Sequence, residues 1–254
     1  MSSRNRAISI LELLAQHPWG LTARDIADRL AIPFAVTQRL LTGLIESGYL
    51  HGGPGKTDLF RLRGKLPAMG LAYLGATGVT DLVQPILDDL AKRTGELVRL
   101  AVIEGGNLTW VAKSQGARSG LLYNPDTDAE VHLPATANGR AWLSCLKEPQ
   151  ARVLVERSIA DKASLIDVDG LLREVAIART HGYAVVSESY EAGTSAVAAP
   201  IRRGAAGDPI GTVSIAGPTI RMTPKRIQEI APWLMASASE LGAAASSSPL
   251  FNGA

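Results

Sequence analysis

Apolar residues recur every three or four positions through the first 50 residues, and this period predicts three helices. The first helix is predicted over residues 4–16. Thr22 and Asp25 have the spacing of a capping box, so a second helix is predicted to begin at Thr22 and to end at Leu30. Pro33 has no N–H to donate inside a helix but fits a first turn, and it predicts a third helix that continues to residue 47.

The third helix has two distinct faces when successive residues are placed about 100° apart. Its apolar face carries Val36, Leu40, Leu41, Leu44 and Ile45. Its other face carries Ala35, Gln38, Arg39 and Thr42. Glutamine pairs with adenine and arginine with guanine in the major groove, so this second face is typical of a helix that reads DNA. An ordinary amphipathic helix with a solvated polar face has the same pattern and is an equal alternative.

A β-hairpin is predicted directly after the third helix. Residues 49–50 begin one strand, the glycine-rich residues 52–55 form a turn, and residues 59–62 return. Three helices followed by such a hairpin form a winged helix-turn-helix, mostly α with a β wing. Lys56 and Arg61 on the wing are candidates for phosphate or minor-groove contacts, and solvated surface charge is the alternative for each.

Beyond residue 65 the pattern predicts a linker helix and then a mixed domain. Helices are predicted over residues 66–74, 81–93, 136–146, 150–157, 169–180 and from 223 onward. Strands are predicted over residues 98–103, 108–111, 120–123, 183–187, 195–202 and 210–216. The domains are therefore predicted as residues 1–65 for the winged helix-turn-helix, 66–80 for the linker helix, 81–245 for an antiparallel α+β domain and 246–254 for a flexible tail.

Composition places the chain among globular proteins. With 254 residues, of which 46% are hydrophobic and 20% charged, it has the length and composition of two ordinary domains. No apolar run reaches the length of a bilayer span and the N-terminal residues do not follow the order of a secretory signal, which favours a cytoplasmic protein without membrane contact. Cys145 is the single cysteine, so no internal disulfide forms; its apolar neighbours favour a buried, inert thiol.

Charge is distributed unevenly between the two predicted domains. Residues 1–66 contain nine Lys and Arg and five Asp and Glu, a net charge of +4, whereas the remainder has a net charge of −2. This asymmetry is expected when only the front domain meets phosphates.

Several short motifs follow one another along the chain. They are Leu40-Leu41 with Leu44 and Gly48-Tyr49-Leu50, the run Ala135 to Ala141, His181 to Ala184, Glu188 with Gly193, Ala198 to Ile201, and Ser214 to Pro218. In this order and spacing they resemble the IclR family of bacterial transcriptional regulators over nearly the whole length.

The resemblance implies a ligand-responsive transcriptional regulator without a cofactor. Its parts are a winged-helix DNA-binding domain, a linker helix that helps dimerise, and a GAF-like effector domain that binds a small carboxylic or aromatic acid. Such a protein binds a palindromic operator in double-stranded DNA as a homodimer or a dimer of dimers, and acts as repressor or activator. The predicted DNA contacts are Thr22, Ala35, Thr37, Gln38, Arg39, Thr42, Lys56 and Arg61.

The resemblance also implies where the effector binds. Family ligands meet backbone N–H groups at the helix start that corresponds to Ala137 and Asn138, which favours a carboxylate. The remaining candidates are Val186 in place of a frequent acid, Ala196 in place of a frequent cysteine, Ser214, Ala216 in place of a second serine, and the aromatic residues Trp110 and Tyr123, for which a core position is an equal alternative. The pocket is therefore predicted to be less polar and roomier than one fitted to two- or three-carbon acids, and its ligand to be a larger, aromatic acid.

Two alternatives belong to other functional classes. In the first alternative, the larger domain is an enzyme that acts on a small carboxylic acid, and the winged helix is accessory. In the second, the winged helix binds protein instead of DNA. The sequence offers no nucleophile and base at a recognisable spacing. His51, His132 and His181 are too scattered to predict a metal site.

Overall fold

The computed structural model describes residues 3–53, 58–125, 131–159, 166–204, 207–245 and 248–251. The chain divides into two compact units, Met1–Leu74 and Gly75–Ala254. The first unit contains helices α1 (Ser3–Ala15), α2 (Ala23–Leu30) and α3 (Phe34–Glu46), strands β1 (Leu21–Thr22), β2 (Leu50–His51) and β3 (Leu59–Leu62), and most of helix α4 (Lys65–Ala76). The three predicted helices, the hairpin and the linker helix are therefore present.

Capping and a left-handed residue set the bounds of α2. Thr22 Oγ1 accepts a hydrogen bond from the backbone N–H of Asp25, and the Asp25 carboxylate accepts one from the backbone N–H of Thr22, both at 3.1 Å. This capping box was predicted from the spacing alone. At the other end, Ala31 has a φ of 50°, which stops the helix and turns the chain toward Pro33 and α3.

The core of the first unit joins all three helices to the hairpin. Its fully buried members include Ile10 from α1, Ile26 from α2, Leu41 from α3 and Leu50 from β2. The strands form one antiparallel sheet in which β3 is central, pairing with β2 on one side and β1 on the other. The two-residue strand β1 was not predicted, because it is too short to show a period of its own.

The second unit begins with a π-helical turn, Val79–Val83, and continues with α5 (Gln84–Thr94). Its remaining elements are β4 (Leu97–Glu104), β5 (Asn107–Gln115), α6 (Ala137–Leu143), α7 (Glu148–Ile159), α8 (Val168–His181), β6 (Ala184–Ser187), β7 (Thr194–Arg202), β8 (Pro209–Pro218) and α9 (Pro224–Ala244). The five strands form an antiparallel sheet in the order β5-β4-β8-β7-β6. The predicted α+β class with an antiparallel sheet is confirmed.

Helices cover the sheet in two groups: α5 packs on β4 and β5 and contacts α9, whereas α6 packs on β6, β7 and β8 and contacts α8. Side chains alternate between the two faces of a strand, so Thr212, Ser214 and Ala216 of β8 all point to the α6 side.

The prediction of a strand over residues 120–123 was wrong. This segment is irregular, and two of its carbonyl groups accept hydrogen bonds from side chains. Arg221 Nη1 donates to the Leu121 carbonyl at 2.9 Å, and Gln115 Nε2 donates to the Tyr123 carbonyl at 2.9 Å. Backbone groups that are paired in this way do not require a neighbouring strand.

The prediction of a flexible tail over residues 246–254 was wrong for residues 248–251. Ser248 and Phe251 are buried, with exposed fractions of 0% and 1%. Ser248 Oγ donates to the Thr77 carbonyl, and Arg203 Nη2 donates to the Phe251 carbonyl at 2.7 Å. A short apolar anchor therefore holds this end of the chain, although the surrounding composition is typical of a loose terminus.

Among the described residues, no single helix is long and apolar enough to cross a membrane. Helix α4 and the helical segment Val79–Thr94 reach the required length and composition only as a pair.

We expect Phe251→Ala to destabilise the second unit by about 3 kcal/mol, because the substitution removes a fully buried aromatic ring and leaves a cavity. Urea unfolding followed by tryptophan fluorescence measures the change. Ile220→Ala is the control, since this side chain is 82% exposed and its truncation should cost less than about 0.5 kcal/mol. Equal stability of the Phe251 variant and the wild type would show that the anchor does not hold.

Candidate functional site

Helix α3 presents its short polar face to solvent. Ala35, Gln38, Arg39 and Thr42 are all exposed, whereas Leu41 and Leu44 are buried against the rest of the first unit. This exposure agrees with the division of faces predicted from the helical period. The four residues therefore form a continuous surface that an approaching duplex can contact.

Thr37 does not belong to that surface, and the structure does not support its predicted contact with DNA. Its side chain is fully buried, and its hydroxyl donates to the Pro33 carbonyl one turn earlier in the helix at 3.3 Å. That carbonyl satisfies the hydroxyl, so the residue lies in the core at little cost. Val36, which was predicted to be on the apolar face, is half-buried beside it.

The hydroxyl of Thr22 already serves the cap of α2. It donates to Asp25 Oδ2 at 2.7 Å and accepts from the Asp25 N–H. The hydrogen bonds from Thr22 hold the pKa of the Asp25 carboxyl below its usual value, because they favour the charged form. The predicted contact of Thr22 with DNA would therefore use the hydroxyl oxygen that already takes part in the capping box of α2.

Arg61 is anchored within the first unit. Its Nε donates to the Trp19 carbonyl at 2.7 Å, and its side chain passes so close to Gly20 that a Cβ on this glycine would lie 2.6 Å from Arg61 Cγ. Gly20 also has a φ of +90°, so a side chain there is disfavoured twice. Lys56, the other predicted wing contact, lies outside the described residues.

A cavity in the second unit lies between the sheet and the start of α6. All eight predicted effector residues line it: Trp110, Tyr123, Ala137, Asn138, Val186, Ala196, Ser214 and Ala216. The cavity has a volume of about 50 Å³. This is several times the roughly 10–15 Å³ that one water requires.

The floor of the cavity is a row of small apolar side chains. Val186 of β6 lies beside Ala196 of β7, which lies beside Ala216 of β8. Above this row, Ala137 and Ala141 bring α6 against the sheet, and both are buried. These side chains have no hydrogen-bonding groups, so this row is apolar, whereas Ser195 of β7 and Ser214 of β8 add hydroxyl groups to the cavity lining.

Close packing at the start of α6 leaves no room for larger residues. A Cβ on Gly139 would lie 2.2 Å from the Leu133 carbonyl oxygen, so only glycine fits there. Asn138 Nδ2 donates to Thr212 Oγ1 at 2.9 Å, and both residues are buried. This hydrogen bond ties the first turn of α6 to β8 and fixes where the helix begins over the cavity.

An aromatic wall closes the side of the cavity near β4 and β5. The Arg99 guanidinium lies 3.6 Å from the centroid of the Trp110 ring, and Arg99 is 8% exposed. Tyr123 lies on the same wall, and burial raises the pKa of its hydroxyl. Arg99 was missed by the sequence analysis, although a lone arginine inside the apolar run 97–103 is the signal that marks it.

Other chemically active side chains have structural roles. Burial raises the pKa of the Cys145 thiol, which therefore stays protonated and unreactive at neutral pH. Glu188 accepts a hydrogen bond from the Gly193 N–H at 2.9 Å and shapes the loop before β7. Within the described ranges, no three His, Cys, Asp or Glu side chains are grouped to hold a metal ion.

Comparison with known proteins identifies two matching families. The family described as "IclR helix-turn-helix domain" matches residues 5–53, and "Bacterial transcriptional regulator IclR C-terminal" matches residues 71–243. The chain is also 28% identical over 247 residues to the Pca regulon regulatory protein of Pseudomonas putida, covering 95% of this chain and 83% of that protein.

Solved structures show the same fold. An IclR transcriptional regulator from Alicyclobacillus acidocaldarius superposes with a TM-score of 0.80 at 21% identity, covering 95% of this chain and 97% of that one. An IclR homolog from Microbacterium hydrocarbonoxydans, complexed with 4-hydroxybenzoate, superposes with a TM-score of 0.74 at 22% identity, covering 97% and 100%. At these sequence identities the structural similarity shows a common fold.

Proposed function

The chain belongs to the IclR family of bacterial transcriptional regulators, and from this premise we propose that it binds a palindromic operator as a dimer under the control of a small organic acid. Membership confirms the resemblance drawn from the motifs. As a regulator of bacterial transcription it acts on cytoplasmic DNA. The observation that carries the proposal is the exposed polar face of α3 in the unit that matches the family's helix-turn-helix domain.

The proposed DNA contacts use this face in the major groove. Gln38 and Arg39 carry amide and guanidinium groups that pair with adenine and guanine, and Ala35 and Thr42 are short enough to let the helix approach. In a dimer, two such helices enter successive major grooves about 34 Å apart, so the operator is expected to repeat in inverted orientation.

Helix α4 supports the proposed dimer. None of its residues is buried, although Met69, Leu71 and Tyr73 are apolar or aromatic and are 51%, 65% and 62% exposed. At about 100° per residue, Leu71 lies on the opposite side of the helix from Met69 and Tyr73, so apolar side chains are exposed around the helix. Exposed apolar surface of this kind is stabilised when a partner removes it from water. In this family the linker helix is expected to help dimerise, so we propose that α4 of a second copy of the chain covers this surface.

The cavity supports an aromatic acid as the effector. Its apolar floor and its wall of Trp110 and Tyr123 offer apolar area to a ring, and Arg99 adds a positive charge nearby. A fold neighbour bound to 4-hydroxybenzoate is consistent with such a ligand. Binding on the α6 side then changes the equilibrium between protein conformations of different operator affinity.

Nothing in the part of the chain that the structure describes favours the alternative of an enzyme acting on a small carboxylic acid. The protonated Cys145 thiol offers no activated nucleophile, and the relatives are named as regulators. A winged helix that binds protein instead of DNA is separated from the proposal by the first of the following experiments.

We expect Gln38→Ala and Arg39→Ala each to weaken operator binding by about 1–3 kcal/mol for each base pair contacted, because each removes a hydrogen-bonding side chain from the reading face. Fluorescence anisotropy measures the affinity, using a duplex that the protein selects from random sequences. Lys225→Ala is the matched control for the lost charge, since Lys225 is exposed on α9 in the other unit. Unchanged affinity in both α3 variants would favour the protein-binding alternative.

We expect Leu71→Glu to convert the dimer to a monomer, because it places a charge on the apolar surface of α4. Light scattering after size exclusion measures the mass. The control is Val153→Glu, at a position on α7 that is 62% exposed. If the Leu71 variant stays dimeric while the wild type is a dimer, the interface lies elsewhere.

We expect 4-hydroxybenzoate to raise the melting temperature more than glyoxylate or pyruvate do, because the cavity floor is apolar. At a hundredfold excess over Kd, a ligand stabilises the native state by about 2.7 kcal/mol. Ala196→Leu fills the floor and should abolish the shift, whereas Ala176→Leu makes the same change on an exposed position of α8 and should retain it. Tight glyoxylate or pyruvate binding in calorimetry would contradict the predicted ligand class.

A further inference from the structure

Phe34 is a large aromatic residue at the exposed start of the recognition helix. It is the first residue of α3, and 42% of it is exposed, whereas Leu41 and Leu44 of the same helix are buried. The core of the first unit therefore leaves a substantial part of this ring in contact with water. An aromatic ring so placed gains free energy when another molecule covers it.

Helical geometry places Phe34 on the same surface as the proposed DNA contacts. At about 100° per residue, Phe34, Gln38 and Thr42 follow one another along the helix with only about 40° between neighbours. Ala35 and Arg39 lie alongside. In helix-turn-helix proteins, the N-terminal residues of the recognition helix contact base edges. Phe34 therefore stands at the position of α3 that is expected to lie closest to the bases.

A cation from the preceding helix accompanies the ring. The Arg24 guanidinium lies 5.4 Å from the centroid of the Phe34 ring, within the range of a cation–π contact. Arg24 belongs to α2, and the first helix of this motif crosses the DNA backbone. The pair thus joins a group suited to phosphate with an apolar group suited to a base.

We infer that Phe34 is a specificity-determining residue that packs against the C5 methyl group of a thymine in each half of the operator, while Arg24 contacts a neighbouring phosphate. The inference rests on the proposed function. A phenyl ring has no hydrogen-bonding group to match a base edge, and the thymine methyl is the apolar group that the unmodified bases present in the major groove. Ring and methyl therefore complement each other.

Replacing thymine by uracil tests the inference, because it removes this methyl and leaves the Watson–Crick pair unchanged. The probe is a duplex selected from random sequences by the wild-type chain, with each thymine replaced in turn, symmetrically in both half-sites. For the contacted thymine we expect the wild-type Kd to rise about fourfold per half-site and about fifteenfold for both, the ratios that correspond to burying one methyl group.

The Phe34→Ala variant completes a double-mutant cycle. It should bind the thymine and uracil duplexes equally at the position where the wild type discriminates, whereas Gln38→Ala should keep the discrimination. Since Phe34 is partly exposed, its truncation is compatible with folding, which circular dichroism verifies. Arg24→Met should keep the preference for thymine and reduce the slope of log K against log salt by about 1 for each protomer.

Two outcomes would overturn the inference. One is a wild-type Kd that no thymine-to-uracil replacement changes, and the other is a preference for thymine that persists in Phe34→Ala, which would assign the methyl contact to Ala35 or another residue. Failure of the proposed function is distinguishable from both, because the wild-type chain would then select no sequence from the random pool.

Discussion

The close approach of α6 to the sheet is the constraint on which the second unit depends. Alanines on α6 and on the strands are small enough for the helix to pack closely against the sheet. Gly139 leaves room for the Leu133 carbonyl, which would collide with a Cβ at this position. The buried hydrogen bond between Asn138 and Thr212 then fixes the position of the first turn over β8. This contact leaves a row of small apolar side chains beside the start of α6, and the cavity lies over that row.

The first unit separates structural residues from the proposed recognition residues in a similar way. Thr22 caps α2 and Thr37 fills the core of α3, so the polar residues at these positions are used to build the motif. The residues left at the surface are Ala35, Gln38, Arg39 and Thr42, with Phe34 ahead of them. A rigid helix end of known orientation is what base reading requires, since a misplaced side chain loses its hydrogen bonds.

Sequence patterns predicted the helices, the wing and the larger hairpin because each has a period that several residues share. Most of the predicted cavity residues were identified through the family motifs, and the eight converge from six different segments that no local pattern connects. Features that depend on a single distant partner were missed. The burial of Thr37 depends on its carbonyl partner at Pro33 and on core packing, and the irregular path at residues 120–123 depends on Arg221. The packing of residues 248–251 depends on the burial of Phe251.

The loop that carries Tyr123 is the part of the cavity held by side chains instead of a strand ladder. Arg221 joins the Leu121 carbonyl to the buried Glu96 carboxylate, with 2.8 Å between Nη2 and Oε2, and Gln115 of β5 donates to the Tyr123 carbonyl, so this loop is tied to the sheet through two side chains. The floor, by contrast, is held by backbone pairing across three strands. A ligand that contacts both the floor and the loop therefore touches one surface held by a strand ladder and one held by a few side-chain hydrogen bonds. Any conformational change of the protein on ligand binding should begin at the loop.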